Sequence, residues 1–384
     1  MLEKGKISLI QMTILVMLFS LGSAILIVPT ALASVAKQDG WISAIIGAGL
    51  GSLVVWLYIA IGKRHPDKTL IECCEEVLGV WAGKLVGLLY VQFFFLLATL
   101  VLRNIGDFIT TIVMPDTPIQ AIHILFLLII MMGARLGLEV IGRTAEIFLP
   151  WICGLILVLM VFIVPQMESY RLAPLFENGF NRIIYGSFSI LSIPYLELVV
   201  FLMILPYVNH RHKAGSALLA GSLLGGGILI LISALSITVL GWEFTARHAF
   251  PSYTLAKKIQ LGEFLQRIEV MMAIIWFMTI FFKLTVCFYA SALSIAQVFR
   301  TASYRPLVLP LGMIMVILSL VVYPNIVYFR EFASKIWTSY AMVFGLVLPL
   351  VLLLASLAAS RRRNKGSAQE QGAGSNQEQA EAGS

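Results

Sequence analysis

A helix that crosses the roughly 30 Å of hydrocarbon in a bilayer needs about 20 mostly apolar residues in a row. This chain offers ten apolar runs, at 10–35, 41–62, 84–112, 118–133, 137–164, 182–208, 214–241, 266–299, 306–322 and 335–359, the fourth and ninth being short. Nothing else in the sequence restricts the fold as much, because within lipid only helices and closed barrels satisfy their own backbone. Hydrophobic residues make up 59% of the 384 and charged residues 12%, where a soluble domain carries about 25% charged residues. The expected fold class is an all-α polytopic membrane protein with no separate soluble domain. The first run is too long for a cleaved signal peptide and has no small-residue cleavage site after it. The fifth opens with Glu139, Arg143 and Glu146, which leaves room for a span that enters the bilayer only near Ile147.

Lys and Arg collect on the cytoplasmic side of short loops. With the N-terminus inside, the inner segments carry twice as many Lys and Arg as the outer ones; Lys6, Arg64 and Arg300 belong to the inner set, Arg171 and Lys258 to the outer. Both termini are therefore expected in the cytoplasm. The net charge of +7 follows from this topology and requires no nucleic acid. Residues 360–384 read as a disordered tail whose basic cluster at 361–365 anchors it to the membrane surface. Cys73, Cys74, Cys153 and Cys287 lack metal spacing and are expected as free thiols. His210 and His212 in HRHK have no carboxylate to complete a metal site. With neither a phosphate loop nor a nucleophile elbow, the sequence supports no enzyme and no cofactor.

LGSAILIVPT, residues 21–30, interrupts the first run. Gly22 and Ser23 leave helical geometry cheaply, and Pro29 lacks an N–H and frees a carbonyl one turn back, so helix 1 is expected to unwind about Gly22. SFSILSIPYLEL, residues 187–198, repeats the pattern in the sixth run, with Pro194 after two serines. These runs head two halves of like order, 1–164 and 182–359. Each half has an interrupted helix, a second span, an amphipathic stretch, a very long third span, a short fourth led by Pro, and a fifth. The amphipathic stretches are PDKTLIECCEEVLGV at 66–80 and PSYTLAKKIQLGEFL at 251–265. Five spans per half invert the second half relative to the first, which puts a site at their interface near the midplane. Loose backbone is tolerated in lipid only where it lines a cavity or meets a ligand. Free N–H groups at one break would hold a carboxylate and free carbonyls opposite would hold an ammonium, poles that fit a zwitterionic amino acid. Helix packing and kinking by Gly, Ser and Pro is the competing explanation.

The opening KISLIQMTILVMLFSLGSAILIVP, MPDTPIQAI at 114–122, GARLGLEVIGRTAEIFLP at 133–150 and PYLELVVFLMILPYV at 194–208 resemble the spore germination permease family. Its members are the B subunits of nutrient germinant receptors, within the amino acid, polyamine and organocation transporter superfamily. The likeness spans the membrane part and leaves out the tail after Lys365. It implies a LeuT-like five-plus-five inverted fold with helices 1 and 6 broken, and a small amino acid such as L-alanine bound in a transporter-like pocket. It also implies an A-type membrane subunit and a C-type lipoprotein as partners, and the spore inner membrane as location. In that likeness SIPYLE is the broken stretch of helix 6, with Ser192, Pro194 and Tyr195 at the ligand and Glu197 just beyond. Gly22, Ser23 and Ala24 form the break in helix 1, while Phe94 and Ala98 on helix 3 and Thr279 on helix 8 are pocket walls.

Glu197 lies about 22 Å along helix 6 from Arg182, and Lys283 about 20 Å into helix 8 from Val270, at 1.5 Å per residue. Both fall near the middle of the bilayer, where a lone carboxylate is costly or takes up a proton. Glu197 is either beside the ligand or a neutral acid bonded to backbone carbonyls. Lys283 either replaces the cation that sodium-coupled members of the superfamily hold between helices 1 and 8, or pairs with Glu197. Arg103 and Asp107, one turn apart near the outer end of helix 3, read as an interfacial ion pair. Arg143 is expected to pair with Glu139 or Glu146, and YVQFFF at 90–95 reads as lipid-facing packing. One pocket would serve a receptor that binds an amino acid and signals, or a proton-coupled permease that moves it.

Overall fold

The computed structural model describes residues 3, 5–258 and 268–360. The basic cluster 361–365 and the rest of the tail lie outside the described residues, as do Arg267 and the amphipathic stretch 251–265 from residue 259 onward. The first span consists of two half-helices, α1 (Leu9–Leu21) and α2 (Ala24–Ala36), and α3 (Gly40–Arg64) runs back. Then come the short α4 (Leu70–Leu78) and the long α5 (Val80–Phe108), followed by α6 (Ile119–Leu136), α7 (Leu138–Ile163) and α8 (Phe180–Ile190). After a change of helical type at 191–207 follow α9 (Arg211–Leu240), α10 (Trp242–Arg247), α11 (Pro251–Lys257), α12 (Glu269–Val298) and α13 (Val308–Val321). The last span, Ile326–Ser360, holds α14 (Ile326–Phe332) and α15 (Thr338–Met342), with wide π turns at Ala333–Trp337 and Val343–Val347.

Among the described residues, eight helical segments are long and apolar enough to cross a membrane, and Leu9–Leu21 and Arg305–Val321 are shorter apolar helices. The sequence reads ten spans because α2 and α3 continue through a tight turn at Lys37–Asp39, so length alone counts them once, and because the ninth is short. α7 runs unbroken from Leu138 through Ile147 to Ile163. It can begin at Leu138 because Gly137, at φ 97°, turns the chain between α6 and α7 in a single residue, a backbone only glycine adopts at low cost. Arg143 of α7 pairs with Glu139 at 2.5 Å, while Glu146 accepts from Gln11 Nε2 at 2.9 Å.

α1 sits at the centre, packed by α7, α9 and α12, while α6 and α7 leave most of their apolar surface outward. Its start is fixed by a reciprocal cap: Gln11 N donates to Ser8 Oγ at 3.1 Å and Ser8 N to Gln11 Oε1 at 2.9 Å, which satisfies two helix-end donors. Just before it, Ile7 N donates to Tyr207 O at 3.0 Å and Asn209 N to Ile7 O at 2.8 Å, a parallel bridge between the near ends of the first and sixth spans. Glu3 extends this strap, its Oε2 accepting from Tyr304 at 2.8 Å and Tyr289 at 3.3 Å.

Packing completes one expectation and corrects another. Arg103 and Asp107 pair, at 3.0 Å, and both are buried by the surrounding helices. Arg103 donates to the carbonyls of Ser319 and Leu320, which end α13 without intrahelical partners, and Tyr323 donates to Asp107 Oδ2 at 2.7 Å. The stretch YVQFFF faces inward, because Tyr90, Phe93 and Phe94 are buried and Phe93 stacks on Phe344 at 4.7 Å and on Trp337 at 6.0 Å. The cysteines are free: Cys73, Cys74 and Cys287 are buried and Cys153 is exposed, and burial pushes the Cys73 thiol up to about 12.

Pro29 removes the N–H that would bond the Ile25 carbonyl. That carbonyl is taken by Ser252 Oγ of α11 at 2.6 Å, wholly buried. Ser252→Ala leaves a buried acceptor without its donor, a loss of about 1–3 kcal/mol. The thermal midpoint of the purified protein should fall well below that of Ser216→Ala, whose hydroxyl is exposed; equal midpoints would contradict the cap.

Candidate functional site

The break in the first span is two residues long, since α1 ends at Leu21 and α2 starts at Ala24. The sixth span does not unwind at Pro194. It passes instead from α8 through a wide turn at Leu191–Tyr195 into tight helix at Leu196–Met203. A proline without an N–H is accommodated by this change of pitch, and tyrosine hydroxyls reach carbonyls of the sixth and last spans beside it. Tyr58 Oη donates to Leu196 O at 3.1 Å and to Gly345 O at 2.6 Å, and Tyr90 Oη donates to Phe344 O at 3.1 Å. Wide turns of this kind gather at functional sites, and the turns of the sixth and last spans lie against each other here.

Between the two breaks stands Lys283, on a part of α12 buried from Phe282 to Ser294. Its side chain is 0% exposed; Nζ donates to Ser23 Oγ at 2.8 Å and pairs with Glu197 Oε2 at 2.5 Å, 5.2 Å from the centre of the Phe19 ring. Trp337 Nε1 donates to the other carboxylate oxygen, Oε1, at 3.2 Å. Helices 1, 6, 8 and the last span therefore meet at one ion pair. Gly22 is required by the lysine stem, because a Cβ there would come 2.5 Å from Lys283 Cδ and 2.9 Å from its Cβ.

Above this pair, at the end of the bundle remote from the N-terminus, a vestibule of about 790 Å³ opens between α2, α8 and the last span. Thr30, Phe188, Ser192, Phe250, Phe329 and Thr338 are among its lining residues. Ser192 and Thr338 join their hydroxyls at 3.2 Å. Trp337, next to Thr338 in the chain, continues from this vestibule floor to the buried pair.

The structure thus brings Gly22, Ser23, Glu197 and Lys283 together and puts Ser192 at the vestibule. Ala24 and Pro194 are buried beside the breaks. Tyr195 turns away: its hydroxyl donates to Ser222 O at 3.3 Å, and its ring fills the space beside Gly51 and Gly226, between α3 and α9. Thr279 lies one turn before Lys283, its hydroxyl bonded to Trp276 O at 3.0 Å. Phe94 and Ala98 are buried on α5, which packs on α12. Sequence reasoning missed Trp337 and Thr338; the available signal was SKIWTSY, a polar and aromatic stretch opening the last apolar run.

A helical bundle whose first and sixth spans are interrupted at a shared ion pair is a multi-pass membrane protein of the transporter fold. It aligns with Mhp1, a nucleobase-cation-symport-1 family transporter solved in a closed conformation with bromovinylhydantoin bound. The TM-score is 0.64 over 91% of this chain and 78% of that one, and the 13% identity makes it a likeness of fold alone. The chain belongs to the family described as Spore germination protein, whose model matches residues 6–327. It is similar to spore germination protein KB of Bacillus subtilis (strain 168), 28% identical over 373 residues that cover 96% of this chain and 99% of that protein. Spore germination protein YndE of the same organism is 24% identical over 359 residues, 92% of this chain and 96% of that one.

Gly22→Ala drives a methyl group into the Lys283 stem, whereas a Cβ at Gly49 meets nothing within 4 Å. Spores that depend on the Gly22→Ala protein should germinate at least tenfold more slowly, with Gly49→Ala unchanged and both proteins at wild-type abundance. Equal germination rates would separate Gly22 from function.

Proposed function

We propose that this protein is the membrane-embedded, germinant-binding B subunit of a spore nutrient germinant receptor. It recognises a small zwitterionic amino acid of the L-alanine kind in a transporter-like pocket and signals germination. The observation that carries the reading is that one lysine joins both interrupted helices. A ligand carboxylate competes with Glu197 for Lys283, and a ligand ammonium competes with Lys283 for Glu197. Either exchange changes how helices 1 and 6 are held, and a ligand biases two conformations only by such differential contacts. Membership of the family supports the role in germination. Apolar Ala24, Ile25, Ile193 and Leu196, buried around the breaks, favour a small side chain. In this reading an A-type membrane subunit and a C-type lipoprotein act beside it in the spore inner membrane. The excess of Lys and Arg on the N-terminal face supports termini on the core side, so the vestibule faces outward.

The buried carboxylate of Glu197 favours a second reading, a proton-coupled amino acid permease, because a charge inside the bilayer is a common element of proton relays. Uptake by the isolated protein in vesicles decides between them. A receptor subunit shows no concentrative uptake of labelled amino acid under an imposed proton gradient, and Glu197→Gln shifts the germinant response of spores by about tenfold or more. Concentrative uptake that Glu197→Gln abolishes would establish the permease instead. The ligand class is checked by thermal stabilisation with a panel of amino acids, sugars and nucleosides; stabilisation by a sugar or nucleoside alone would refute it.

Lys283 supplies a fixed ammonium to Ser23 and Glu197, so a sodium ion has no charge to neutralise there. Replacing sodium by choline should leave the half-maximal germinant concentration unchanged. A rise in that concentration of tenfold would contradict this role for the lysine.

A further inference from the structure

The C-terminal end of α5 holds a buried polar cluster that reaches the vestibule. Asp107, paired with Arg103 at 3.0 Å, accepts from the Tyr323 hydroxyl at 2.7 Å. The same hydroxyl lies 3.1 Å from the side-chain amide of Asn104. Asn104 is 5% exposed and lines the vestibule, and its amide has no further hydrogen bond among the described residues.

A phenol hydroxyl has one proton. A carboxylate held against a guanidinium is the stronger acceptor and here also the nearer one, at the distance usual for a charge-assisted bond, so Asp107 takes that proton. Tyr323 then turns only lone pairs toward Asn104. An amide oxygen would face them with no proton between, whereas the amide NH2 can donate to them. The two ends of an amide are alike in shape, and a network of this kind decides between them. Asn104 therefore gives its NH2 to Tyr323 and its Oδ1 to the vestibule. The lock is stiff, because the Tyr323 ring is buried with the Arg103 guanidinium 5.0 Å from its centre and the Phe329 ring at 5.1 Å.

The rest of the lining has the same polarity. Thr30, Ser34, Ser192, Ser334 and Thr338 each donate the hydroxyl proton to a protein oxygen, which leaves lone pairs for whatever enters. Phe188, Phe250 and Phe329 add aromatic rings, which attract cations. The cations of the lining are engaged: Arg330 donates to Ala246 O at 2.8 Å, and Lys335, exposed at the rim, pairs with Glu331 at 2.6 Å. An entering group that carries positive charge and N–H donors is matched by this wall.

We propose that Asn104 is a specificity-determining residue: its Oδ1, fixed by Tyr323 and Asp107, receives the ammonium of the entering amino acid. The proposal rests on the receptor reading above and adds an orientation to it. The ammonium leads, toward Glu197, and the carboxylate trails toward Lys335 at the rim. Ligands that lack N–H donors on a cation gain nothing from the site.

The full-length protein in nanodiscs is titrated with ethylammonium, tetramethylammonium and propionate, each read as the concentration that gives half the maximal shift in thermal midpoint. Ethylammonium carries the N–H donors, tetramethylammonium the charge without them, and propionate the carboxylate alone. In Asn104→Leu the ethylammonium concentration should rise at least fivefold while the other two stay unchanged. In Tyr323→Phe, which frees the amide to turn, it should rise at least threefold. An unchanged ethylammonium response in Asn104→Leu overturns the proposal. A loss confined to propionate means that the amide turns its NH2 to the vestibule, and an equal loss of both cations means that the rings hold them; either overturns it too. Wild-type protein that L-alanine stabilises and ethylammonium does not also overturns it and leaves the receptor reading standing. Ethylammonium binding that depends on Asn104, with no response to any amino acid, would instead fail that reading alone.

Discussion

Everything at the centre of this molecule is arranged around two charges that cannot be left alone in lipid. A single buried charge in a bilayer is costly, and removing one member of a buried pair costs about 3–5 kcal/mol. Lys283 and Glu197 offset each other, and each has a second partner, Ser23 for the ammonium and Trp337 for the carboxylate. The rest follows from accommodating that pair. Gly22 gives the lysine stem room to pass, and the last span brings an indole to the carboxylate oxygen that the lysine leaves. Four helices are thereby referenced to one contact, so a change in that contact is felt by all of them.

The same solvent decides how the helix breaks are built. Side-chain hydroxyls reach carbonyls at these breaks: Ser252 donates to Ile25 O, Tyr58 shares its proton between Leu196 O and Gly345 O, and Tyr90 donates to Phe344 O. A ligand arriving from the vestibule meets hydroxyls, an indole, a carboxylate and an ammonium, rather than open backbone. In the proposed receptor, binding would proceed by exchange of partners among these groups.

Much of this was readable from residue order. The long apolar runs gave the bundle, and Gly22, Ser23 and Pro194 marked the two interruptions because glycine and proline act locally, through their own backbone. Glu197 and Lys283 announced themselves as charges at the depth of the midplane. Their partners did not. Trp337 and Ser252 belong to segments far away in sequence, and nothing local in SKIWTSY or PSYTLAKK reveals which carboxylate or carbonyl each will reach. The turn of Tyr195 toward α9 was equally hidden, because it depends on Gly51 and Gly226 opposite, on helices that periodicity alone cannot orient. Arg103 and Asp107 were recognisable as a pair but not as buried, since their burial is set by the carbonyls at the end of α13.

The strap at the start of the chain has a mechanical meaning. With Ile7 bonded between Tyr207 and Asn209, the near ends of the first and sixth spans are joined into one stiff beam, and Glu3 pins that beam to Tyr289 and Tyr304. Any displacement of α2 or α8 is then taken up where the beam yields, at Gly22 and Ser23 on one side and where wide turns give way to tight ones beyond Tyr195 on the other. Compliance is concentrated in two short joints flanking Lys283. In the proposed receptor, a ligand would register as a bend between half-helices, with the strapped near face as the frame of the lever.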